Sequence, residues 1–438
     1  MDFGEKETFR GLNRATQSQR QTGSAIKPLA VLVPGINEKI FTGATIYNDE
    51  KKTFEDGYSP GNNSGYLGKI TVRRALESSQ NIPFVEMMQE ITPKKAISYL
   101  EKMGITSLTE NDEGLPLALG GLDNGITPLE MAAAYATIAN DGIYREPTFY
   151  SSIVDNTGKT VLKKKQEKRT VFSEQVAYVL KKLLQQPVDG NSGTATYCSI
   201  PGIDVAAKTG TTDENYDKWL CGFTPYYTAV TWFGFDQNET IYYNNQNPAG
   251  IMWANVMSSI HDGFTGARFY QPNKISVEEI CADTGEIARS GCTNTYVEYF
   301  LEGTEPEECT KHSGIKVNVH IDTDEETNVY VDNKEDLELD PDDEEDITKN
   351  NDIENNIAKN EVIENTENIE NTENIVNDEY IPENTVDSEN DIYEPSTGEN
   401  NTESENSNNE ISNEEIVDNT EEVEEEEEEE RTEESPTT

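Results

Sequence analysis

Ser24-Ala25-Ile26-Lys27 places a hydroxyl and an amine three residues apart. On a helix those positions share a face, so the amine can reach the hydroxyl. A serine is a poor nucleophile until a base takes its proton, and a lysine becomes that base when burial or a neighbouring cation lowers its pKa. A helix N-terminus also aims backbone N–H groups at a developing oxyanion. Ser79-Gln80-Asn81 offers a second hydroxyl and a carboxamide at a helix break. Lys208-Thr209-Gly210-Thr211, on a strand, offers a cation, hydroxyls for a substrate carboxylate and a glycine that lets backbone approach a ligand. Singly, each match is common. Ser-x-Asn recurs at Ser388, Ser404 and Ser407, and such residues also serve as plain helix caps. Their occurrence in this order, each in the context its role requires, carries more weight than any one of them.

The elements that must position these groups follow from local pattern. Residues 1–23 read as a polar connecting loop ending at Gly23. A helix is expected over 24–33, closed by Pro34-Gly35; Pro28 is admissible only in its first turn, which sets Ser24 at the N-terminus. Residues 36–70, rich in Gly, Asn and Tyr, read as irregular. A helix over 71–79 breaks at 81–83 and resumes to Glu90; Thr92-Pro93 opens another, to Met103, with Gly104 as stop signal. Further helices are expected from Thr127-Pro128, over 173–185 and over 252–260, and strands over 205–209, 219–223 and 227–235.

The charge is strongly divided. The chain has 438 residues and a formal charge of −51, of which 321–438 carries −42 and 1–320 only −9. The front part has an ordinary globular composition. The Asn/Glu-rich back part cannot bury enough apolar surface to offset its ordering entropy, so disorder is expected there. The acidic balance excludes nucleic acid as a partner. No run of about 18 apolar residues suggests a membrane span, and no apolar segment suggests a signal peptide. Of three histidines, His261, His312 and His320, none is placed like a triad base, and each is expected at the surface. Five cysteines leave at least one unpaired within the chain. Cys198 and Cys221 sit in strand-like runs and read as core. Cys281, Cys292, Cys309 and His312 form a zinc-like set, but they lack paired Cys-x-x-Cys knuckles. A disulfide or free thiols in a surface extension are expected instead, with no metal and no cofactor.

The ordered set Ser-x-x-Lys, Ser-x-Asn, Lys-Thr-Gly resembles that of the penicillin-binding proteins and serine β-lactamases. Flanking residues narrow the likeness: 13–17, Arg20-Gln21-Thr22-Gly23 before Ser24, Ala118-Leu119-Gly120-Gly121, 125–132, Gly193-Thr194-Ala195, Thr212, Trp219 and Gly222-Phe223-Thr224-Pro225. These are similar to the transpeptidase domain of class A, bifunctional penicillin-binding proteins of the 1A type, over 3–265 and more weakly to 312. The resemblance implies an α/β fold, an antiparallel sheet packed between helices, in a domain over 1–266. A cysteine-containing extension over 267–318 and an acidic tail over 319–438 complete the expected organisation. It implies a D,D-transpeptidase that cross-links peptidoglycan stem peptides with release of D-alanine and is inhibited by β-lactams. The runners-up are a D,D-carboxypeptidase and a penicillin-binding sensor without turnover. Carried over by position, Ser24 is the nucleophile and Lys27 its base. Ser79 relays a proton to the leaving group, Asn81 holds the donor's peptide amide, and Lys208 tunes the electrostatics. Thr209 and Thr211 bind the terminal carboxylate beside Gly210, and the backbone N–H groups of Ser24 and Thr211 form the oxyanion hole. No Glu-x-x-Leu-Asn segment of the class A β-lactamase kind lies between Ser79 and Lys208, which favours transfer to an amine over hydrolysis. Relatives place two sheet strands, a membrane helix and a glycosyltransferase domain ahead of the matching residues. The resemblance therefore implies a sheet lacking its N-terminal strands here, and membrane attachment only through such an upstream segment.

Overall fold

A computed structural model describes residues 11–54, 57–243 and 246–312. The expected acidic tail, 319–438, and His320 lie outside the described residues.

The chain enters through a short helix, α1 (Arg14–Gln17), whose N-cap Asn13 accepts from the Ala15 N–H. The segment carrying Ser24 follows as one continuous helical rod of three pitches: a 3₁₀ turn (Gly23–Ile26), a π-helical turn (Pro28–Leu32) and α2 (Val33–Asn37). Proline explains the change of pitch. Pro28 has no N–H to offer Ser24, so the Lys27 N–H takes the Ser24 carbonyl instead and the first turn tightens. The expected stop at Pro34-Gly35 is wrong. Both residues fall inside α2, where Pro34 occupies the first turn and needs no donor. Nearly every residue from Ala25 to Ile36 is buried, which makes the rod the axis of the main core.

Residues 36–70, expected to be irregular, contain an antiparallel pair, β1 (Ile46–Asp49) and β2 (Gly68–Thr71). Short strands set between polar turns leave little periodicity to read. Thr71 caps α3 (Val72–Glu77), after which the chain breaks and α4 (Ile82–Ile91) starts with proline in its first turn. α5 (Pro93–Lys102) and α6 (Pro128–Ala139) both start at a proline as expected, and α6 is capped at that end by a capping box between Thr127 and Glu130. Two small hairpin-like pairs come next: β3 (Ile143–Arg145) with β6 (Lys168–Thr170), and β4 (Ser152–Val154) with β5 (Thr160–Lys163). α7 (Glu174–Leu184) buries one whole face, and α8 (Gln186–Asp189) is a single turn beyond it.

The central sheet is antiparallel, in the order β7 (Ala206–Thr211), β8 (Asp217–Phe223), β9 (Thr228–Gly234). β8 is buried at every position, as expected of a strand covered on both faces. α6 packs on this sheet, and so does α9 (Pro248–Ile260), which begins four residues before the expected start at 252. The extension forms a hairpin, β10 (Ile275–Cys281) with β11 (Thr295–Leu301).

The expectations for Cys198 and His261 fail. Cys198 is buried as expected, but it ends a 3₁₀ turn (Thr196–Cys198) and is not in a strand. His261 is buried, not at the surface. Its Nδ1 donates to Met257 O at 2.7 Å and its Nε2 pairs with Thr224 Oγ1 at 2.8 Å, amid Tyr226, Tyr227 and Phe264, so hydrogen bonds replace the solvent it loses.

Candidate active site

Ser24 sits on the 3₁₀ turn at the rod's N-terminus, with β7 running alongside. Two glycines make that approach possible. Gly23 has φ of +52°, and a Cβ there would lie 2.3 Å from the Thr211 carbonyl oxygen. A Cβ on Gly210 would lie 2.3 Å from Thr22 O. No side chain fits either side of this seam. Three side-chain bonds lock it. The Trp219 indole donates to Gln21 O at 2.7 Å, the Tyr135 hydroxyl to Ala25 O at 2.7 Å, and the Asn247 amide to Gly210 O at 3.3 Å.

Lys27 is fully buried behind Ser24 and donates to Ser79 O at 2.9 Å, Gln80 O at 2.8 Å and Asn81 Oδ1 at 2.7 Å. The break between α3 and α4 thus supplies three acceptors to one amine. Those acceptors suit an ammonium, yet its pKa is driven well below the ordinary lysine range. Lost solvation is the main cause and the Lys208 charge the second, with the Asp49 carboxylate opposing them. Lys208, also fully buried, donates to Ser79 Oγ at 2.7 Å, and burial lowers its pKa to about 7. Ser79 itself has φ of +59°, a left-handed conformation uncommon outside glycine.

The cleft above these groups has a volume of about 460 Å³, and Ser24, Ser79, Thr209 and Thr211 are among its lining residues. Thr209 Oγ1 donates to Thr194 Oγ1 at 3.0 Å. The structure therefore brings Ser24, Lys27, Ser79, Lys208, Thr209, Gly210 and Thr211 to one place. Asn81 is present too, but its carboxamide is already engaged: Oδ1 accepts from Lys27, and Nδ2 donates to Gly61 O at 2.6 Å.

Sequence reasoning missed several contributors. Asp49, fully buried, accepts from the Asn62 side chain at 2.6 Å, and Asn62 Oδ1 in turn accepts from the Asn81 N–H at 2.7 Å. This fixes the 61–64 loop at the cleft wall, where Asn63 and Ser64 line it. Lys218 is a third buried cation, bonded to Asn215 Oδ1 at 2.6 Å and Tyr243 OH at 3.0 Å, and 3.4 Å from Thr211 Oγ1. Nothing in their local sequence marks these residues. Their role comes from segments far apart in the chain.

The expected surface thiols behave differently. All five cysteines are free, and the Cys281, Cys292 and Cys309 sulfurs converge with the His312 imidazole. His312 is half-buried, and it is not the plain surface residue expected of it.

Comparison with known proteins identifies the family. The family model described as the penicillin binding protein transpeptidase domain matches residues 4–257, and that for the penicillin-binding protein 1A C-terminal domain matches 271–314. Penicillin-binding protein 1A of Clostridium tetani is 35% identical over 327 residues, covering 69% of this chain and 41% of that protein. Penicillin-binding protein 1F of Bacillus subtilis is 40% identical over 247 residues, covering 55% of this chain and 34% of that protein. The chain thus spans well under half the length of these relatives. Among solved structures, penicillin-binding protein 1A from Haemophilus influenzae aligns with a TM-score of 0.60 and 26% identity, covering 68% of this chain and 50% of that one. PonA1 from Mycobacterium tuberculosis in complex with penicillin V aligns at 0.53 and 24%, covering 60% and 75%, and speaks for the fold alone. With more than half of its residues matched by that transpeptidase model, and the three motifs gathered in one cleft, the chain belongs to the penicillin-binding protein transpeptidase family.

Proposed function

We propose that this domain is a serine D,D-transpeptidase that cross-links peptidoglycan stem peptides and is acylated by β-lactams. The observation that carries the reading is the junction at Ser79. Its carbonyl accepts from Lys27 and its hydroxyl from Lys208, beside the cleft lined by Ser24. In the forward step Ser24 Oγ attacks the carbonyl of the D-Ala-D-Ala bond while Lys27 takes the hydroxyl proton. The Ser24 and Thr211 N–H groups receive the oxyanion; such a donor is worth about 10²–10³ in rate. Ser79, polarised by Lys208, passes a proton to the departing amine of D-alanine, leaving a Ser24 ester. An acceptor amine then attacks that ester, gives up a proton along the same path, and restores the Ser24 hydroxyl as the new amide forms. Thr209, Thr211 and Lys218 supply hydroxyls and positive charge for the donor's terminal carboxylate. Asn81 contacts the donor amide once its bond to Gly61 is exchanged. In a β-lactam the leaving amine stays tethered by the opened ring, so the ester persists.

Stem peptides lie outside the cell membrane, so the domain works on the extracytoplasmic side and is anchored through a segment of the longer protein. Among the described residues no helix is long and apolar enough to cross a membrane. The test is labelling by a fluorescent penicillin, compared with Ser24→Ala. Stoichiometric label on the wild type and none on the variant is expected, and equal label on both overturns the assignment. With a D-Ala-D-Ala peptide and an amine acceptor, a cross-linked product is expected together with free D-alanine. Free D-alanine alone would instead make the enzyme a carboxypeptidase.

A further inference from the structure

The extension brings together four metal-ligating side chains that the transpeptidase chemistry leaves unused. Cys281 ends β10, Cys292 lies on the connection to β11, and Cys309 and His312 lie on the segment that returns beyond β11. Their ligand atoms all fall within 4.8 Å of one another. His312 Nδ1 lies 3.3 Å from Cys281 Sγ, 3.7 Å from Cys292 Sγ and 3.6 Å from Cys309 Sγ. A tetrahedral zinc with Zn–S of about 2.3 Å and Zn–N of about 2.0–2.1 Å places sulfur and nitrogen about 3.6 Å apart. The three distances scatter around that value. No pair of these cysteines is joined, and a disulfide would use two of the three sulfurs and leave His312 without purpose.

The surroundings suit thiolates. The Arg289 N–H points at Cys292 Sγ at 3.4 Å, and the Thr284 hydroxyl at Cys309 Sγ at 3.5 Å. The Asp283 carboxylate stands 3.7 Å from His312 Nε2, on the side of the ring away from the sulfurs. A carboxylate there orients the imidazole and favours Nδ1 as the ligating atom. Cys281 and Cys309 are buried and Cys292 and His312 half-buried, so the cluster is enclosed on the protein side.

We propose that Cys281, Cys292, Cys309 and His312 bind one zinc ion as a closed Cys₃His structural site. Three thiols and a borderline imidazole select zinc over hard cations such as calcium or magnesium. Four protein ligands leave no open position, so the ion does not join the acyl transfer. Binding displaces the three thiol protons to solvent and forms three Zn–S bonds and one Zn–N bond, with no change of oxidation state. The ion ties the outer end of the β10–β11 hairpin to the returning segment. It also keeps three thiols reduced in a compartment where unprotected thiols oxidise.

The test uses the full chain purified under reducing conditions without added chelator. One zinc per chain by elemental mass spectrometry is expected. Replacement by cobalt(II) should give thiolate-to-cobalt charge-transfer bands and the intense visible bands of a tetrahedral site. Cys309→Ser and His312→Ala should each retain zinc at least about tenfold less well against a competing chelator. Cys198→Ser, whose sulfur is elsewhere in the core, should retain it fully. A folded, reduced chain that takes up neither zinc nor cobalt overturns the proposal. So does a disulfide peptide joining two of the three cysteines in the freshly purified chain, or wild-type zinc retention in both ligand variants. Should a ligand variant not fold, the wild-type stoichiometry and cobalt spectrum decide alone. Penicillin labelling is read in parallel, so loss of the acylation reading leaves the metal result standing, and the reverse.

Discussion

Two buried lysines meet at one serine, and the charge of one disfavours the charge of the other. Lys27 and Lys208 both donate to Ser79, one at its carbonyl and one at its hydroxyl. Each is penalised as an ammonium by burial, and the Lys208 charge further disfavours the Lys27 ammonium. The ionisation of Lys27 therefore depends on the charge of Lys208. Lys208→Met removes a like charge, so the Lys27 ammonium becomes easier to keep and its pKa rises. The ascending limb of penicillin acylation against pH should move to higher pH in that variant, and an unmoved or acid-shifted limb would contradict the coupling. Stability carries the same signature. Lys208 binds its proton with a pKa of about 7 when folded and 10.5 when unfolded, so between those values the unfolded chain holds more protons. Unfolding free energy should then rise as pH climbs from about 7 toward 10.5. Urea melts across that window should show a shallower rise for Lys208→Met.

At the scale of elements, the site depends on a 3₁₀ turn and a strand lying closer than side chains allow. Gly23 and Gly210 face backbone across this seam, and Gly23 also holds a positive φ. Gly23→Ala adds a methyl 2.3 Å from a carbonyl oxygen in a conformation that alanine resists. Overpacking of this kind costs about 1–3 kcal/mol, and strain at positive φ adds to it. The expected outcome is a lower urea midpoint together with slower acylation, because β7 must shift away from Ser24 and carry Thr211 with it. Acylation at the wild-type rate would mean that the seam does not set the geometry. The rod's mixed pitch belongs here too: Pro28 forces the tight first turn that presents Ser24 at its N-terminal end.

For the molecule as a whole, the extension is anchored to the catalytic body by a buried ion pair. Arg73, on α3, donates to both Glu298 oxygens, at 2.7 and 2.5 Å, and Glu298 on β11 is fully buried. Glu298 also accepts from the Tyr299 N–H at 2.8 Å, and Tyr299 packs edge-on against Tyr178 of α7. The same α3 leads directly to Ser79. Glu298→Ala strands the Arg73 charge in the interior, where breaking such a pair costs about 3–5 kcal/mol. The expected result is a drop of that size in unfolding free energy by urea denaturation. Acylation should weaken as well if the α3 end relaxes, and a change below about 1 kcal/mol would mean that solvent reaches Arg73.

The sequence determined the candidate site residues and most of the helices. Ser24, Lys27, Ser79, Lys208 and Thr211 were legible as candidates because each falls in a short local motif, and the structure brings them to one cleft. Helices such as α5 and α6 were legible because proline, caps and apolar period are local signals. The tertiary structure alone decided what depends on groups far apart in the chain. It brought Asp49 and Asn62 behind Asn81, set Lys218 beside Thr211, and buried His261 against Thr224. It also gathered Cys281, Cys292, Cys309 and His312, whose spacing had argued against a metal because it lacks paired Cys-x-x-Cys knuckles. A hairpin and the segment returning beyond it supply that convergence, and strand pairing is a contact between distant residues that leaves no local mark in the sequence.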